Sequence, residues 1–90
     1  MYFAHDIIVQ MPRILHWNGY VFFFFSNEGL PLERCHIHVR KEKYIAKFWM
    51  EPSIALASSW GFSSKELNAI EKYIVKNSDL IRSKWDDNFN

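Results

Sequence analysis

Little in this chain offers covalent or membrane support for a fold. A single cysteine, Cys35, stands among 90 residues, so no internal disulfide can form and the chain is not a disulfide-stapled secreted mini-protein. A reducing compartment is expected, with the cytoplasm as the default. Glycine and proline number only three each, and no run of them forms a linker that would divide the chain. The longest apolar run, Tyr20 to Phe25, is far too short to cross a bilayer as a helix, and nothing has the layout of a signal peptide, so neither membrane insertion nor export is expected. Charge of one sign is lacking too. Eleven basic residues against ten acidic ones give a formal net charge of +1, which provides no global attraction to nucleic acid. Any such role needs a local patch.

What the chain has instead is aromatic rings, with eight Phe, four Trp and four Tyr making up 18% of the residues. A chain of this size buries only about 60–65% of its unfolded surface on folding, and large rings bury much area per residue. The length allows one domain, with no internal repeat.

The order of local signals predicts an α+β domain, an antiparallel β-meander of about four to five strands packed against a long C-terminal helix. Residues 1–10 read as an N-terminal extension in which Ile7-Ile8-Val9 can add a short strand, residues 11–57 as the meander, and residues 63–86 as the helix. Asn18-Gly19 lies between Ile14-Leu15-His16-Trp17 and Tyr20-Val21-Phe22-Phe23-Phe24-Phe25. A type I′ hairpin turn needs positive φ at both central residues, and Asn-Gly supplies it at low steric cost. The second of these strands is apolar on both faces, so it is expected to be central. Ser26-Asn27-Glu28-Gly29 has turn chemistry, and Pro31 keeps the next residues irregular. Pro52 ends a later strand, Ile54-Ala55-Leu56-Ala57 suggests another, and Asn77-Ser78-Asp79 is a place where the helix can break. That helix opens with a capping box, Ser63 as N-cap and Glu66 three residues on, with Phe62 placed to staple onto Leu67. Leu67, Ile70, Ile74, Ile81 and Trp85 then recur at helical spacing and predict one apolar stripe.

The chemistry concentrates between Cys35 and Met50. A hairpin with its turn at Lys41-Glu42 sets Arg40 against Lys43, His38 against Ile45 and His36 against Lys47. Alternation then puts Ile37, Val39, Tyr44, Ala46, Phe48 and Met50 on one face. The opposite face carries His36, His38, Arg40, Lys43, Lys47 and Trp49, with Ile45 out of character and no Asp or Glu. Three readings fit this basic face. As a phosphate site, its Arg and Lys neutralise charge, its histidines move protons near neutral pH and Trp49 stacks on a base. The candidate catalytic residues are then His36, His38, Arg40 and Lys47, with Lys43 and Trp49 as binding residues. As a metal site, His-x-His on a strand supplies two ligands but needs a third, and His16 and His5 are the only other histidines. As a solvated strand face, its charges merely keep a sheet soluble. No cofactor is implied, and no metal ligand is assigned. Cys35 and His36 are neighbours in a strand and point to opposite faces, which argues against a Cys-His nucleophilic pair.

Met11-Pro12-Arg13-Ile14, Gly19-Tyr20, Phe22-Phe23-Phe24, Ser26-Asn27-Glu28, His36-Ile37-His38-Val39, Ala46-Lys47-Phe48-Trp49 and Gly61-Phe62-Ser63 with Glu66-Leu67 occur in order and at family spacing. Over about Met11 to Trp85 the chain resembles the small bacterial family catalogued as domain of unknown function 4160. Two departures stand out: members usually begin at the Met-Pro, and they commonly carry Pro-Pro where this chain has Arg34-Cys35. The family has no settled activity. The resemblance implies a gene neighbour encoding a second small protein, as in type II toxin–antitoxin modules, with this family on the toxin side. The implied partner is a cognate antitoxin, whose acidic residues would suit the basic face, and RNA is a candidate target. The alternatives are a non-enzymatic protein-interaction module, as antitoxin or adaptor, and a His-x-His metal protein. A homodimer formed by strand pairing at an exposed edge, with residues 1–10 as one such edge, is also open.

Overall fold

The computed structural model describes residues 13–25 and 33–89. The expected strand at Ile7-Ile8-Val9, His5, the Ser26–Gly29 turn and Pro31 lie outside the described residues. Among the described residues five strands follow in chain order: β1 (Arg13–Trp17), β2 (Tyr20–Phe23), β3 (His36–Lys41), β4 (Tyr44–Trp49) and β5 (Ala55–Trp60). They form one antiparallel sheet in the order β1-β2-β3-β4-β5. Among the described residues two helices complete the α+β fold, α1 (Ser64–Lys76) and α2 (Ser78–Phe89).

Local chemistry explains the first hairpin. Asn18 and Gly19 have φ of 53° and 83°, and Trp17 pairs directly with Tyr20 across the turn. The β3–β4 hairpin turns one residue later than expected. Glu42 and Lys43 form the turn, Glu42 takes φ of 57°, and Lys41 pairs with Tyr44. His36 therefore faces Trp49, His38 faces Lys47 and Arg40 faces Ile45. Each β3 residue meets a β4 partner two positions further along than the sequence pattern placed it. Because side chains alternate with a period of two, that shift leaves both faces with the expected sets.

The apolar face and the helices make the core. Phe22, Ile37, Val39, Ala46, Phe48 and Met50 are buried against Ile70, Ile74, Ile81 and Trp85, the last four being members of the expected helical stripe. The capping box is present at Ser63, whose hydroxyl accepts from Glu66 N at 3.1 Å while Ser63 N donates to Glu66 Oε1 at 3.1 Å. Tyr20 donates its hydroxyl to Glu66 Oε2 at 3.0 Å, which ties the start of α1 to β2. Trp17 stacks on Tyr73 with centroids 4.4 Å apart and adds a second tie between the meander and α1. At the far end Arg82 donates to Met50 O at 3.0 Å, joining α2 to the end of β4.

The long helix is two pieces. The side chain of Asn77 donates to Tyr73 O at 2.8 Å, and its carbonyl accepts from Ile81 N at 3.0 Å to start α2. An asparagine amide competes with the helical ladder for local carbonyls, which is why the run breaks there. Gly61 sits between β5 and α1 with φ of 95°, and a Cβ at that position would lie 1.9 Å from the Tyr44 ring. Only glycine combines that backbone with that closeness.

Candidate functional site

The site grows from the register of four strands, β2 to β5. Cross-strand partners share a face, so the pairs Phe23–His38, His36–Trp49, His38–Lys47, Lys47–Ser58 and Ile45–Trp60 line up on the side opposite the main core. The two imidazoles come together as expected, with centroids 5.0 Å apart at an interplanar angle of 90°.

Their surroundings differ from the open basic face the sequence suggested. His36 is fully buried, and His38 retains 8% of its exposure. The Nδ1 of His36 lies 2.7 Å from the carbonyl of Arg34, so Nδ1 carries the proton and donates it. Its ring packs on Trp49 at 5.7 Å and on Trp85 at 5.0 Å. His38 packs between Phe23 at 5.5 Å and Phe25 at 4.6 Å. The physical reason is the excess of rings. Phe23, Phe25 and Trp49 form a second apolar layer over the histidine rings, and Trp85, itself part of the main core, closes against the His36 ring; imidazoles pack well against such flat partners.

Positive charge lies at the rim of this layer. Trp49 is clasped by the Arg34 guanidinium, 4.1 Å from the ring centroid, and by the Lys47 ammonium, 4.4 Å away. Arg40 lies over Phe23 at 5.6 Å. These are cation–π distances, and they let the cations shield the ring layer while staying hydrated. Lys43 falls in the β3–β4 turn, exposed, with its ammonium 5.9 Å from the Tyr44 ring. The structure thus brings His36, His38, Lys47 and Trp49 together, sets Arg40 further along β3, and leaves Lys43 at the hairpin tip.

Two contributors were not read from the strand pattern. Arg34 enters from the irregular residues before β3, and Glu33 from the same segment places Oε1 3.8 Å from Lys47 Nζ. The face therefore has a carboxylate at its rim, contrary to the expectation that it holds none. Among the described residues no group of three His, Cys, Asp or Glu side chains is placed to hold a metal ion. Burial, with Glu51 adding to it, pushes the Cys35 thiol up to about 12. A thiol held that high stays protonated and is a poor nucleophile.

Beside the ring layer lies a recess of about 280 Å³, lined by Phe25, His38, Ile45, Lys47, Ser58 and Trp60 among others. His38 and Lys47 supply a proton-transfer group and a cation, Ser58 supplies a hydroxyl, and Trp60, 59% exposed, supplies a ring facing solvent. Imidazole, ammonium, hydroxyl and an open aromatic ring suit a ligand that combines phosphate with a planar base.

No helix among the described residues is long and apolar enough to cross a membrane. A family model described as Domain of unknown function (DUF4160) matches residues 19–86. No curated protein and no solved structure matches the chain.

Proposed function

The chain belongs to the domain of unknown function 4160 family, and we propose that it is the toxin of a two-gene toxin–antitoxin module, acting on RNA at the recess between β3, β4 and β5. The observation that carries this reading is the meeting of His38, Lys47 and Trp60 around one cavity. An unpaired base stacks on an exposed Trp ring whatever its identity, and the adjacent lysine neutralises the phosphate that follows. Imidazole is the side chain that exchanges protons near neutral pH, so His38 is the residue for proton transfer at a ribose hydroxyl or phosphate oxygen. His36 positions His38 and the Trp49 ring from behind, and takes no part in chemistry because it is sealed from solvent. Glu33 holds Lys47 in the absence of ligand, and a phosphate competes with it. The neutralising partner, a protein of acidic surface, covers the cationic rim of Arg34, Arg40 and Lys47.

The test is growth of a bacterial host on induction of the wild-type chain, of His38→Ala, of Lys47→Ala, and of the wild type together with its gene neighbour. Wild type arrests growth, both substitutions and the neighbour relieve it, and RNA profiling during arrest shows shortened transcripts. Normal growth with abundant soluble wild-type protein overturns the toxin reading. A second reading draws on the near-complete burial of both imidazoles: the face docks a protein and catalyses nothing. Under that reading arrest occurs with intact RNA, or the chain itself binds and neutralises the neighbour's product.

A further inference from the structure

Edge strands are normally protected, because a row of unpaired N–H and C=O groups invites another strand; short length, lysines, proline or a covering element are the usual devices. Among the described residues β5 has no lysine, no proline and no covering element within its span, and the bulge in its pairing with β4 is the one such device it carries. It is six residues long, Ala55-Leu56-Ala57-Ser58-Ser59-Trp60, every residue is exposed, and none is charged or proline. It ends the sheet next to β4. Its large side chains stand free, Leu56 at 42% and Trp60 at 59% exposure.

We propose that β5 pairs antiparallel with β5 of a second copy of this chain around a twofold axis normal to the sheet, joining two five-stranded sheets into one continuous sheet. The occupant is fixed by self-complementarity. Pairing the whole strand with itself end to end sets Ala55 opposite Trp60, Leu56 opposite Ser59 and Ala57 opposite Ser58. Partners in an antiparallel pair must share a face. In a regular strand Ala55 and Trp60, five residues apart, would point to opposite faces, and so would Leu56 and Ser59. β5 is not regular. Its register against β4 shifts between Lys47 and Phe48, so that Lys47 faces Ser58 while Phe48 faces Leu56, with Ala57 as the extra residue. The bulge reverses the alternation. Ala55 then lies beside Trp49 and Trp60 beside Ile45 on the histidine face, and Leu56 beside Phe48 and Ser59 beside Ala46 on the core face. Every outer pair matches in face, each sets a large side chain against a small one, and no like charges meet at the axis.

The pairing bears on the recess as well. Ser58, Ser59 and Trp60 form its outer wall, so a second β5 extends that wall and sets two recesses on one surface across the twofold. This inference stands apart from the RNA reading, since the dimer can be measured without any ligand.

The experiment is sedimentation equilibrium of the full chain and of two double variants. L56K/S59K puts lysine opposite lysine twice in the proposed register, whereas L56K/S59E puts lysine opposite glutamate twice. Both positions are exposed in the single chain, so both variants fold, as circular dichroism will verify. Wild type sediments at twice the chain mass. Two like-charge cross-strand pairs and the lost leucines raise the dissociation constant of L56K/S59K by about tenfold or more, and L56K/S59E recovers most of that loss. A wild type that remains monomeric at high micromolar concentration overturns the proposal, as do two variants that weaken association equally.

Discussion

β3 and β5 are both six-residue strands of one sheet, yet their fates are opposite. β3 reads His-Ile-His-Val-Arg-Lys and is buried over its first four residues. β5 reads Ala-Leu-Ala-Ser-Ser-Trp, carries no charge, and is exposed throughout. Hydropathy alone would have ranked them the other way. What separates them is cover. β3 has a strand on each side, helices on one face and a layer of rings on the other, while β5 lies at the rim with no strand across its outer edge among the described residues. Burial in a small sheet follows position, and polar residues such as His36 are accommodated where a carbonyl and flat rings complete their surroundings.

The sharpest way to break this comparison is truncation on each side. Phe48 is fully buried in the core, and Phe48→Ala is expected to cost about 3–5 kcal/mol of unfolding free energy. Leu56 faces the same side of the sheet from β5 at 42% exposure, and Leu56→Ala is expected to cost under about 1 kcal/mol, as exposed substitutions do. Urea denaturation at low protein concentration, where strand pairing between copies is absent, measures both. Equal losses would mean that β5 is packed as firmly as β4.

Within β3 a finer contrast separates support from function. His36→Ala leaves a cavity among Trp49, Trp85 and His38 and orphans the Arg34 carbonyl. A loss of about 2–3 kcal/mol follows. His38 opens onto the recess, where water replaces part of what the ring gave up, so His38→Ala is expected to cost about 1–2 kcal/mol. Thermal unfolding distinguishes them, and His38→Ala alone then removes growth inhibition from a protein that remains folded. If His38→Ala proves the more destabilising, the division of roles between the two imidazoles is wrong.

How much of this was legible in the sequence divides along the same line. Asn18-Gly19 and the Ser63–Glu66 box act within four residues, so their outcomes could be read directly. The faces of β3 and β4 were legible for a similar reason, since alternation survives a shift of two, although the turn itself fell at Glu42-Lys43 and not at Lys41-Glu42. The enclosure of the two imidazoles was not legible. It depends on Trp85, nearly fifty residues away along the chain, and on rings of β2 and β4 whose meeting requires the completed sheet. Glu33 and Arg34 escaped because an irregular segment has no period from which to project a direction. β5 was expected to end at Ala57 and runs on to Trp60, with the bulge that reorients it arising only from its pairing with β4.

The smallest effect tests the node where the packed side meets the helix. Glu66 accepts from the Ser63 backbone N–H and from the Tyr20 hydroxyl, and these bonds, the first above all, hold its carboxyl below the usual carboxylate range. A depressed folded-state value means that the stabilisation is complete above the ordinary carboxylate pKa and is lost as pH falls through the folded-state value. Glu66→Gln keeps one acceptor oxygen for the Ser63 N–H, sets an amide NH2 against the Tyr20 hydroxyl, which can accept from it, and removes the titration. The stability difference between wild type and Glu66→Gln should therefore be constant from neutral pH down to about pH 5 and shrink below about pH 4.5, where the unfolded carboxyl begins to bind its proton. Ser63→Ala provides the comparison: it removes the acceptor for Glu66 N and costs about 1 kcal/mol, and most of that cost should persist at low pH because the hydroxyl does not titrate and is a smaller contributor to the lowered Glu66 carboxyl than the Ser63 backbone N–H and the Tyr20 hydroxyl. Urea titrations at pH 7, 5 and 3 measure both. A Glu66→Gln difference that stays flat to pH 3 would show that the capping carboxylate is held no more tightly in the folded chain than in the unfolded one. The hydrogen bond from Tyr20 would then contribute packing alone, and the tie between β2 and α1 would rest on Trp17 and Tyr73.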